Sequence, residues 1–200
     1  MKLTATLVRS SKLSRWLDSK IDGVAIPSTV KARMAGGCLD QALEHQKAIV
    51  LLVRRHHFGS ALALVRLAFE SYVRGVWLHQ CATDAEVTRY TKDKLKKEFG
   101  AMVEEIEQTD AFNEGVLSAI KKRSWRAMNS FTHSGYSQAV RRNTSDSIEP
   151  NYDEREVLEA LQFANAIALL ASLQVASLAG NVDLAYDFLK KAKRLQPIAA

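Results

Sequence analysis

Proline is scarce in this 200-residue chain, with three residues, and glycine numbers only nine. So little turn-forming material argues against disorder and against a β-rich chain, which needs frequent breaks. Cysteine is scarcer still. Cys38 and Cys81 cannot build a disulfide framework, and neither stands in a C-x-x-C or Cys/His spacing for zinc; no structural metal is implied, and a reducing cytosol suits the chain. A Gly-rich phosphate loop, a Ser-His-Asp arrangement and a nucleophilic cysteine setting are all missing. The N-terminal segment carries Lys2, Arg9, Lys12 and Arg15, which deny it the apolar run that secretion requires. A cytoplasmic protein without a cofactor is expected.

Charge is absent from one long run. From Ala160, "ALQFANAIALLASLQVASLAGNV" reaches Asp183 without an ionisable side chain and is long enough to span a bilayer. Gln162, Asn165, Ser172, Gln174 and Ser177 interrupt it, and its alanines are weakly hydrophobic, so the expectation is a buried bundle helix and no membrane.

What is present is ordinary globular material: 47% apolar and 25% charged residues, in a length that suits one domain. The net charge of +6 invites a polyanion such as RNA. Cations cluster at Arg54-Arg55, Lys92 to Lys97, Lys121 to Arg126, Arg141-Arg142 and Lys190 to Arg194, and such clusters are commonly solvated helix ends.

The helical period dominates, and no alternating pattern persists for more than a few residues. The chain therefore reads as a single all-α domain over residues 1–200, a bundle of about six to seven helices. A short first helix ends near Gly23, and Ser28 is placed to cap a long second one running toward His57. Within the second, "AGGC" at 35–38 removes bulk, either for a close backbone approach or simply as a weakened stretch. The third helix, "FGSALALVRLAFESYVRGVWLHQ", carries Arg66, Glu70 and Arg74 at successive i,i+4 steps. On so apolar a helix Glu70 must be paired to stay charged, which favours a structural ladder over a ligand-binding role. Thr83 caps a charged helix that Gly100 is placed to divide, and the last helices follow the polar loop "RRNTSDSIEPNYD".

The segment "RAMNSFTHSGYSQAVRR" holds the strongest candidates for chemistry. On a helix, Arg126 and His133 share one face about 10 Å apart along the axis, with Asn129 and Ser130 between them and Leu117, Ile120, Trp125, Met128 and Phe131 on the core side. Histidine transfers protons near neutral pH, and arginine offers a fork to phosphate. The same stripe also suits a plain solvated face or a binding surface. A second loose pair, Arg74-x4-His79, lies on the third helix. His56 and His57 suit a helix C-terminus better than a metal, since no Asp or Glu joins them.

Arg126-x6-His133, on a helix of a small all-α chain, resembles the Arg-x4-6-His pattern of the HEPN superfamily, and "LVRLAFESYVRG" is similar to the R-x-x-F-E segment of small bacterial helical proteins loosely grouped with it. The resemblance implies a metal-independent endoribonuclease of the toxin–antitoxin or phage-defence kind. Arg126 and His133 would be catalytic, with Asn129, Ser130, Glu70, Arg66 and Arg74 supporting. It also implies a homodimer joining two half-sites, RNA as substrate and an antitoxin protein as partner. The competing expectation is a non-catalytic helical bundle that binds a protein or a small ligand.

Overall fold

In the computed structural model, which describes residues 2–194, the helical period becomes nine helices among the described residues. They are α1 (Lys2–Ile21), α2 (Val30–Arg54), α3 (Phe58–Gln80), α4 (Asp84–Thr91), α5 (Phe99–Glu107), α6 (Val116–Thr132), α7 (Tyr136–Val140), α8 (Glu154–Leu178) and α9 (Val182–Arg194). The all-α class stands. The count exceeds the expected six to seven because the charged segment forms two helices and a short α7 follows Gly135. Thr29, rather than Ser28, caps α2, its hydroxyl accepting from the Ala32 N–H at 3.2 Å.

The break between α4 and α5 falls at Lys92 to Glu98, upstream of Gly100, which sits inside α5. Tertiary contacts override the helix propensity of "KDKLKKE". Asp93 takes a left-handed turn at φ 54°, and Lys97 is brought inward, its ammonium 4.6 Å from the centroid of the buried Trp77 ring. There it meets Glu86 at 2.5 Å and Glu105 at 2.6 Å. The Lys97 contact, helped by the Thr83 backbone N–H, pulls the Glu86 carboxyl from its ordinary 4.5 to about 2. That depression contributes stability that is complete above pH 4.5 and lost as pH falls toward 2. Lys97→Met, which keeps the apolar stem over Trp77, should therefore be less stable than wild type at neutral pH, with the gap closing through that acid window. Urea unfolding at pH 7 and pH 3 measures it, and an equal gap at both would refute the role assigned to Lys97.

α2 and α3 form the central hairpin, joined through Arg55 to His57. They approach closely at Gly75, where a Cβ would lie 2.8 Å from Leu39 Cδ2 and 3.2 Å from the Ala35 carbonyl. The small segment at 35–38 serves the interior: Ala35 and Cys38 are buried in the core, and Gly36 makes room for Ile26. α8 packs on α1, α2, α3 and α9, burying Leu161, Ala164, Ile167, Ala168 and Ala171. By length and composition it is apolar enough to cross a membrane, but most of its apolar stretch is covered by neighbouring helices. Within α8, Asn165 accepts from Gln46 at 2.9 Å and donates to Ser10 at 2.8 Å, which pins the helix to α1 and α2 through paired polar groups.

Candidate functional site

Leu117, Met128 and Phe131 of α6 are buried, with Ile120 and Trp125 packed beside them, as the periodicity predicts. Seating that stripe on the core turns Asn129 and His133 toward α3. Thr132 ties the two helices together by donating to the Ala63 carbonyl at 3.1 Å.

Facing them from α3 is Arg66, whose side chain is only 16% exposed. Its Nε and Nη2 both reach Glu70 Oε1 at 2.8 Å, so the i,i+4 spacing does yield an ion pair. Its Nη1 donates to Asn129 Oδ1 and lies 2.8 Å from His133 Nε2. Because a guanidinium only donates, Nε2 must accept, which puts the imidazole proton on Nδ1. The guanidinium also lies 4.5 Å from the Trp125 ring centroid, and Trp125 in turn stacks on Phe99 at 4.6 Å. Arg66 is thus the hub of the cluster, fixed on three sides, with exposed His133 at its outer edge.

The other candidates are placed elsewhere. Arg126 is exposed and enters no hydrogen bond or ion pair among the described residues. Ser130 serves the turn after α6: its hydroxyl accepts from the Ser137 N–H at 2.9 Å and its carbonyl from the Gly135 N–H at 2.7 Å. Arg74 does not extend the Arg66–Glu70 pair. Its charge falls on Cys38 and Tyr90, which meet at 3.3 Å; burial pushes the Cys38 thiol up, and Arg74 opposes that rise. His79 points into the interior, where its Nδ1 is buried without a partner and burial lowers its pKa. Arg74 and His79 therefore form no second site. Among the described residues, no three His, Cys, Asp or Glu side chains gather to hold a metal.

Two contributors were not legible as such. Trp125 was expected only as core, yet its face carries the Arg66 guanidinium. Thr132 was expected only as part of the polar run, yet it fixes the α3–α6 register. A hint existed for the first, since an indole beside a polar helical stripe is a ready platform for a cation.

No curated protein and no solved structure matches this chain. Residues 39–198, which contain α3, α6 and every member of the Arg66 cluster, match a family model described as "Family of unknown function (DUF6988)". That match spans most of the sequence, and the chain belongs to this family.

Proposed function

We propose that this chain is an HEPN-like helical protein that cleaves RNA without a metal, using His133 for proton transfer and Arg66 for the phosphate. The observation that carries the reading is the 2.8 Å contact between Arg66 Nη1 and His133 Nε2 at an accessible edge of the α3–α6 seam. Metal-free cleavage needs a base for the 2′-hydroxyl, a cation for the charge that builds on phosphorus, and an acid for the leaving oxygen. A phosphate oxygen that takes over the Arg66 donor releases His133 Nε2, and the freed lone pair can accept the 2′-hydroxyl proton. Glu70 and Trp125 hold Arg66 in place during that exchange. Arg126, about 10 Å along the helix from His133, serves as an outer contact for a neighbouring phosphate.

One cluster supplies one imidazole. Two copies across a two-fold axis would supply both base and acid, so the active species is a homodimer. The purified protein should cleave RNA in the presence of EDTA, leave 2′,3′-cyclic phosphate ends and run as a dimer by light scattering. A cytosolic toxin or defence role, with an antitoxin protein as partner, follows from the same reading.

A second reading, a non-catalytic module that binds a protein or small ligand, is favoured by the near-saturation of Arg66, four of whose five N–H donors are already committed to Glu70, Asn129 and His133. Absence of EDTA-resistant cleavage across several RNAs, by a protein that remains monomeric, would select it over the first.

A further inference from the structure

The start of α3 borders a second feature, a cavity of about 380 Å³ that is distinct from the Arg66 cluster. This volume lies within the range of small-molecule pockets, about 300–1,000 Å³. His56, His57, Ser60, Gln138, Arg142 and Tyr152 are among its lining residues, and no carboxylate is. Arg142 is exposed and takes part in no ion pair among the described residues, so its charge is uncompensated at the rim.

Two atoms of the wall lack hydrogen bonds. Gln138 Oε1 and Tyr152 Oη are both buried and unpartnered, although buried polar groups are nearly always paired. Gly59 permits the arrangement, because a Cβ there would lie 2.5 Å from Tyr152 Oη. Gln138 Oε1 only accepts, so it calls for a donor that no protein group supplies, whereas Tyr152, Arg142 and the two imidazoles offer protons to an acceptor. The backbone N–H groups of Phe58, Gly59 and Ser60 add to that donor set, since the first intrahelical bond of α3 runs from Ala61 to His57. A sugar phosphate meets both needs, with anionic oxygens for the donors and a hydroxyl for Gln138.

We propose that this cavity binds a small sugar phosphomonoester, its phosphoryl group held by Arg142, the two histidines and Tyr152, and its sugar hydroxyl by Gln138. Ser60 and Arg66 are separated by about 9 Å of helix rise, so the site is independent of the α3–α6 cluster and stands whether or not that cluster cleaves RNA.

Calorimetric titration of the full chain with adenosine 5′-monophosphate, and in parallel with adenosine, tests it. The monophosphate should bind and adenosine should not. Arg142→Ala should weaken binding by about tenfold or more, through loss of a charge-assisted contact. Tyr152→Phe should also weaken it, and the same substitution should raise the melting temperature of the ligand-free protein by deleting an unpaired buried hydroxyl. A wild type that binds no monophosphate at millimolar concentration, or binding that both substitutions leave unchanged, would overturn the proposal. So would equal binding of adenosine and its monophosphate.

Discussion

His133→Ala should lower metal-free RNA cleavage by about two orders of magnitude or more, with the helical spectrum unchanged. His133 lies at the C-cap of α6, exposed to solvent, and the helix is held by its buried stripe of Leu117, Met128 and Phe131, so the imidazole can be removed without disturbing the packing. Arg66→Ala should cause a loss of similar size by removing the cation that faces the phosphate, about 10²–10³ for a single transition-state donor. It also strands Glu70, whose side chain is only 20% exposed, so this variant should lose stability as well. Arg66→Lys separates the two effects, because an ammonium retains the charge but cannot span Glu70, Asn129 and His133 together. Arg126→Ala should cost less than Arg66→Ala, since Arg126 stands outside the cluster. The reverse order would restore Arg126 as the principal cation. Arg74→Ala and His79→Ala match the same loose spacing on α3 and should leave cleavage intact. If wild type and His133→Ala show equal background on several RNAs, the nuclease reading fails and the binding module remains.

Trp77→Ala should produce the largest stability change at a single position, about 3–5 kcal/mol for deletion of a large buried aromatic. The indole is fully buried, its N–H donates to Glu105 at 2.6 Å, and Lys97 lies over its face. The substitution leaves a cavity and also takes a donor from the carboxylate that partners Lys97. In a domain of this size the melting temperature should fall by about 6–20 °C. Trp77→Phe retains most of the ring and loses the hydrogen bond, so it should fall between the two. Urea unfolding of the three proteins gives the comparison. A loss below about 1 kcal/mol for the alanine variant would mean that the region collapses around the vacancy, contrary to the packing described.

Within single helices, the sequence alone was sufficient. Leu117, Met128 and Phe131 recur at helical spacing because a helix can bury only one stripe, and the polar interruptions and alanines of the uncharged run marked out α8 as a bundle helix. The Arg66–Glu70 pair was equally legible, since residues four apart are neighbours on any α-helix. Contacts between helices were decided by the tertiary structure. Arg126 and His133 share a face of α6, yet His133 is bonded to Arg66, sixty-seven positions away in sequence, because the docking of α6 on α3 sets which flank meets which. The charged run from Lys92 to Glu98 has helix-forming composition, but the chain breaks there so that Lys97 can reach Trp77, Glu86 and Glu105. The cavity at the start of α3 was hidden for the same reason: Gln138, Arg142 and Tyr152 come from a polar stretch without periodicity, and only folding brings them against His56 and His57. Local spacing encodes what one helix can do by itself. Long-range pairing depends on how the buried stripes of separate helices interlock, and that follows from packing the whole core at once.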